Sequence, residues 1–85
     1  MNIILKEFRR TRVFGELNLD YTQITKLPDN LKVDGFLSVE GIQFEEIPVG
    51  LQIDDNLNIR GSNLEQFTDK ELRKMYDLRY ISRTQ

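Results

Sequence analysis

Apolar side chains recur in this chain every 20 positions. Written from a corner, three segments align: GELNLDYTQITKLPDNLKVD (15–34), GFLSVEGIQFEEIPVGLQID (35–54) and DNLNIRGSNLEQFTDKELRK (55–74). The third and fifth places hold Leu17/Leu19, Leu37/Val39 and Leu57/Ile59, and the tenth and thirteenth hold Ile24/Leu27, Phe44/Ile47 and Leu64/Phe67. Pro28 and Pro48 follow the thirteenth place, where the last copy has Thr68. A fixed period of this length marks a solenoid, whose units bury their apolar sides by stacking on their neighbours.

The local pattern translates into elements. Leu17-Asn18-Leu19, Leu37-Ser38-Val39 and Leu57-Asn58-Ile59 alternate with period two, which predicts short strands with the apolar members turned inward. Stacked in parallel, they would lie about 4.8 Å apart. Val13, Val33 and Ile53 precede them, each separated by a corner at Phe14-Gly15, Asp34-Gly35 or Asp54-Asp55, residues that suit tight bends. The Leu-Pro and Ile-Pro steps belong on the return path, where Pro fixes an extended course.

The ends read as caps. Leu5-Lys6-Glu7-Phe8 repeats the spacing of Ile24 to Leu27, so residues 1–14 read as a degenerate N-terminal coil or cap. A helix over 3–10 is the alternative, because Ile4 and Phe8 are four apart. Thr68-Asp69-Lys70-Glu71 is a capping box, which predicts a helix over 69–80 that lays Leu72, Met75 and Tyr76 on the last strand. The organisation predicted is one domain over 1–85, with repeats at 15–67 and a capping helix and tail at 68–85. Its core comprises the twelve apolar residues of the third, fifth, tenth and thirteenth places.

LNLDYTQITKLP (17–28), LSVEGIQFEEIP (37–48) and LNIRGSNLEQF (57–67) resemble the leucine-rich-repeat core L-x-L-x-x-N-x-L-x-x-L-P. The short period and the L-P step look most like bacterial-type repeats. LKVDG (31–35) and LQIDD (51–55) resemble small repeat proteins common in phage and prophage genomes. The resemblance covers 15–67 and implies an α/β repeat of three to four coils with short parallel strands. One departure stands out: Thr22, Ile42 and Ser62 occupy the place of the consensus Asn. The usual asparagine column around the bend is absent, which leaves open a leucine-rich-repeat horseshoe or a straighter, β-helix-like stack.

Charge refines this picture more than its net value of −2 does. Residues 15–67 carry ten carboxylates against Lys26, Lys32 and Arg60, whereas both ends are basic. Such blocks either pair within the molecule or steer a partner of opposite sign. Histidine and cysteine are both absent. That removes the usual general base near neutral pH, thiol nucleophiles and most transition-metal sites. Glu45/Glu46 and Asp54/Asp55 are sequence neighbours rather than carboxyls held across a cleft. No enzyme activity, cofactor or metal is therefore expected. The longest apolar run is Ile3-Ile4-Leu5, and Lys6 and Glu7 interrupt it, so neither a signal peptide nor a membrane span is predicted.

The expected function is a small protein-binding module. The resemblance implies a phage-encoded inhibitor or modulator that occludes a bacterial defence or regulatory protein in the host cytoplasm. The alternatives are a nucleic-acid role, as an acidic DNA mimic or through the basic helix, and a virion or assembly component. The chain would be a monomer or a small homo-oligomer. The strand face bearing Glu16, Asn18, Asp20, Phe36, Ser38, Glu40, Asn58 and Arg60 is the candidate contact surface. Asn18, Ser38 and Asn58 also suit a hydrogen-bonded ladder, and Phe36 reads either as an interface anchor or as packing on Phe14. The competing surface is the basic segment with Lys70, Arg73, Lys74 and Arg79.

Overall fold

Brief apolar–polar alternation yields brief strands that need neighbours on both sides. The structure, a computed structural model, describes residues 12–84, so most of the N-terminal cap expected over 1–14 lies outside it. Strands β1 (Arg12–Val13), β2 (Leu17–Asn18), β3 (Lys32–Val33), β4 (Leu37–Ser38), β5 (Gln52–Asn58) and β6 (Asp77–Ser82) form one parallel sheet. With helix α1 (Asp69–Met75) they make a small α/β domain.

The pairing offset equals the sequence period. Arg12 lies beside Lys32 and Lys32 beside Gln52, while Leu17, Leu37 and Leu57 form a second row. β6 pairs with the far edge of β5, Asp77 beside Gln52 and Ile81 beside Leu57, with an irregularity between Ile53 and Asn56. Leu19, Ile24, Leu27, Leu37, Val39, Phe44, Leu57, Ile59 and Leu64 are buried, as the repeat predicts. Leu17, Ile47 and Phe67 are only half-buried and pack at the margin of the core.

A backbone bond closes the turn that follows each of β2, β4 and β5. The amides of Thr22, Ile42 and Ser62 donate to the carbonyls of Leu19, Val39 and Ile59 at 3.1, 3.1 and 3.0 Å. The residue before each has a left-handed backbone, with φ of 56° at Tyr21, 75° at Gly41 and 70° at Gly61. That is the pattern of a type II turn, which needs φ > 0 at its second central residue. Because the backbone closes these bends, the positions of the missing Asn column are free for three separate uses. The Thr22 hydroxyl donates to the Leu19 carbonyl at 2.8 Å, Ile42 joins the core, and the Ser62 hydroxyl accepts from the Leu64 amide at 3.1 Å. Ser62 thereby opens a 3-10 turn over Asn63–Gln66.

The C-terminal segment departs from expectation. The capping box is present: the Thr68 hydroxyl accepts from the Glu71 amide, and the Glu71 carboxylate accepts from the Thr68 amide. The helix, however, ends at Met75 instead of 80, and 77–82 is a strand. On a helical stripe through Leu72, Met75 and Tyr76, neither Leu78 nor Ile81 would face the core. A strand packs both against it and gives the far edge of β5 a partner. Tyr76 starts this turn-back and extends a column the repeat pattern left unassigned, formed by the fully buried Leu31 and Leu51. The Asp77 amide donates to the Leu51 carbonyl as the Gln52 amide donates to Leu31. The Tyr76 hydroxyl donates to the Pro48 carbonyl at 2.7 Å, and burial pushes its pKa up to about 12.

Two outcomes follow. Leu37 is wholly buried in the middle of the stack, so Leu37→Ala should cost roughly 2–5 kcal/mol, measured by urea unfolding. Tyr76 is neutral when folded and ionises more easily when unfolded, so its contribution is complete below about pH 10 and lost as pH rises through about 12. The stability advantage of wild type over Tyr76→Phe should therefore shrink across that window in thermal melts. An advantage independent of pH there would contradict the burial of this hydroxyl.

Candidate functional site

The outward side of the sheet carries two columns defined by strand register. One contains Asn18, Ser38, Asn58 and Ser82, the other Asn56 and Tyr80 preceded by Glu16 and Phe36 at the 20-residue offset. Leu17, Leu37, Leu57 and Ile81 lie between the columns on the inward side. Tyr80, assigned to the helix by sequence reasoning, thus belongs to this face and is 58% exposed. No regular alternation announced this strand: Leu78 and Ile81 are three apart and both pack on the core, across the irregularity in the pairing with β5, and the capping box at Thr68 favoured a longer helix.

Polar side chains on this face bond to one another. The Ser38 hydroxyl donates to the Asp20 carboxylate at 2.6 Å, and the same oxygen accepts from the Glu40 amide at 2.8 Å. The Asn58 amide group donates to Ser38 at 3.1 Å and to Glu40 at 2.7 Å, and Asn56 donates to Ser82 at 2.8 Å. Asn18 and Asn58 also accept from the amides of Asp20 and Arg60 two residues on, a local turn bond that asparagine makes readily. Ser38, only 4% exposed, is therefore a strut of the ladder between Asp20 and Asn58; Glu40 joins it through Asn58, whereas the Asn18 side chain bonds only within its own turn. Glu16 and Arg60 stay exposed and Phe36 half-exposed.

Tyr21 locks the upper border of the ladder. Its hydroxyl donates to Glu40 at 3.1 Å, and that bond, together with the charge of Glu40, raises the Tyr21 pKa. Its ring lies where a side chain on Gly41 would project: a Cβ there would sit 2.5 Å from two ring carbons. The equivalent point on Gly61 has nothing closer than 3.6 Å. Gly41 is thus demanded by both backbone angle and a neighbouring ring, Gly61 by angle alone.

The competing basic surface is dispersed. Lys70 and Lys74 are exposed on α1, but Arg79 lies on β6, and the Arg73 guanidinium donates to the carbonyls of Leu78 and Arg79 at 3.1 Å each. Elsewhere, cations offset part of the acidic body: Arg12 pairs with Asp34 at 3.2 Å and Lys32 with Asp54 at 3.0 Å. Arg12 also stands 4.6 Å above the ring of Phe14, which is 75% exposed. Among the described residues, no group of acidic side chains is placed to hold a metal ion, and no helix is long and apolar enough to cross a membrane.

No family model, no curated protein and no solved structure matches this chain.

The Tyr21–Gly41 contact has a direct test. An alanine in the left-handed region costs about 1–2 kcal/mol, so Gly61→Ala should lose that much and Gly41→Ala more, measured by urea unfolding. Adding Tyr21→Ala should bring the Gly41→Ala penalty down to that of Gly61→Ala.

Proposed function

We propose that this chain is a short leucine-rich-repeat-like solenoid of three to four coils that binds another protein through its outward strand face, without catalysis. The parallel pairing at the 20-residue period supports the repeat reading. One observation carries the binding reading: Phe36 and Tyr80 share an outward column whose polar surroundings are already bonded to each other. Large aromatics on a preorganised surface lose little conformational freedom on association, and such side chains dominate interface energetics. Glu16, Asp20 and Glu40 give the rim a mostly acidic field, with Arg60 at one end. That field favours a partner surface rich in Lys and Arg and speeds the encounter with it. The partner proposed is a bacterial protein occluded in the host cytoplasm by a phage-encoded chain; the origin rests on the resemblance of LKVDG and LQIDD to phage repeat proteins.

The experiment is capture from bacterial lysate by wild type, Phe36→Ala and Tyr80→Ala, with mass spectrometry to identify what is retained and calorimetry on the purified pair. Each variant should keep its fold and weaken binding by about 1–2 kcal/mol or more, roughly tenfold or beyond in Kd. Binding that survives both changes and collapses with Lys70→Glu and Lys74→Glu would move the site to α1.

A further inference from the structure

Gly35 is fixed by its neighbour in the stack. A Cβ there would sit 2.9 Å from the Gly15 carbonyl carbon and 3.0 Å from its oxygen, and the Gly35 amide donates to that oxygen at 2.9 Å. Asp34, directly before it, is fixed by charge. The Arg12 guanidinium donates to both of its carboxylate oxygens at 3.2 Å, and the Lys32 ammonium lies 3.8 Å away. These two demands together create the chain's one Asp-Gly step. The equivalent place one repeat on reads Asp54-Asp55, and no Asn in the chain precedes a Gly. An Asp-Gly link is the aspartyl link most open to attack by its own backbone, because glycine puts no side chain beside the attacking nitrogen.

We propose that the Asp34–Gly35 link is a site of spontaneous isomerisation to isoaspartate, and that the fold holds it closed through Arg12 and Gly15. With the carboxyl in its acid form, the Gly35 nitrogen gives up its proton and bonds to the Asp34 side-chain carboxyl carbon, and one carboxyl oxygen leaves as water. Water then adds to either carbonyl of the resulting five-membered imide. Opening one side restores aspartate. Opening the other routes the main chain through the Asp34 Cβ and leaves the former main-chain carboxyl free, so water is the only co-reactant. In the folded chain both groups are engaged, the nitrogen's proton by Gly15 and the carboxylate by Arg12 and Lys32. The reaction therefore waits for this corner to open, and its rate follows the fraction of time spent open. Register makes the outcome costly. Val13 and Leu17, Val33 and Leu37, and Ile53 and Leu57 share one spacing, which keeps the two rows matched. An extra main-chain carbon between Val33 and Leu37 breaks that match and displaces Phe36 on the outward face.

The test incubates folded wild type, folded Arg12→Ala and urea-unfolded wild type in warm neutral buffer, with circular dichroism to establish folding. Isoaspartate is counted by enzymatic methylation and located by peptide mapping. In the unfolded chain it should appear first at position 34, and Asp34→Glu, whose longer arm closes the ring poorly, should remove that signal. Folded wild type should form it roughly tenfold or more slowly, as a corner that is closed most of the time requires. Arg12→Ala should form it several-fold faster than folded wild type. Should Arg12→Ala unfold, Arg12→Gln is read by the same outcomes. Isoaspartate arising at 34 as fast in the folded as in the unfolded wild type would overturn the proposal. So would accumulation in the unfolded chain at another position first, or a folded Arg12→Ala that reacts no faster than wild type.

Discussion

Strands of two residues do not stand alone. β1 to β4 each have that length, and each contributes too few backbone bonds to offset the entropy of ordering it. Their order depends on β5, which at seven residues spans both rows and pairs with β3 and β4 on one edge and β6 on the other. The rest of the C-terminal half serves this strand. α1 carries the chain around the core, Tyr76 ends the helix and fills the Leu31–Leu51 column, and β6 satisfies the amides that β5 would otherwise leave open. The Arg83 guanidinium then ties the end back to Asp69 at 2.9 Å and to the Glu65 carbonyl at 2.8 Å.

The outward face reflects the same economy. Its ladder of Asn, Ser, Asp and Glu could have been a strongly hydrated surface that any partner must strip of water. Instead, the groups bond to one another across the strands, and the desolvation cost of covering them is correspondingly reduced. What stands out from this surface is chemically simple: Phe36, Tyr80, the Tyr21 ring and the free ends of Glu16 and Arg60. Tyr21 also occupies a left-handed backbone position that a bulky residue adopts only at a cost, held by Glu40 and by the room that Gly41 leaves for its ring.

Much of this was legible in advance because it is periodic. A 20-residue recurrence of Leu, Val and Ile specifies parallel register, and Asn18, Ser38 and Asn58 at that spacing announce a column. The corner expected at Asp54-Asp55 is absent, since β5 runs straight through it, and the bends without the asparagine column were left open for a physical reason. The consensus asparagine invites a search for side chains that hold the turn, whereas here the backbone closes each turn itself. Ile42 could therefore become core, and Ser62 could start a 3-10 turn. The outward columns were read only as far as β5, because Tyr80 and Ser82 join Asn56 and Asn58 through a strand whose register does not follow the period.

By itself, the sequence determined the repeat period, the inward and outward assignment of β2, β4 and the end of β5, the capping box at Thr68 and the absence of histidine and cysteine chemistry. These are properties of local pattern and composition. Only the tertiary structure decided that the helix stops at Met75, that Tyr80 joins Phe36 on one face, and that Arg73 is spent on the carbonyls of Leu78 and Arg79. Each of those depends on the open edge of β5, and the need to pair an edge belongs to the assembled sheet, not to any segment read on its own.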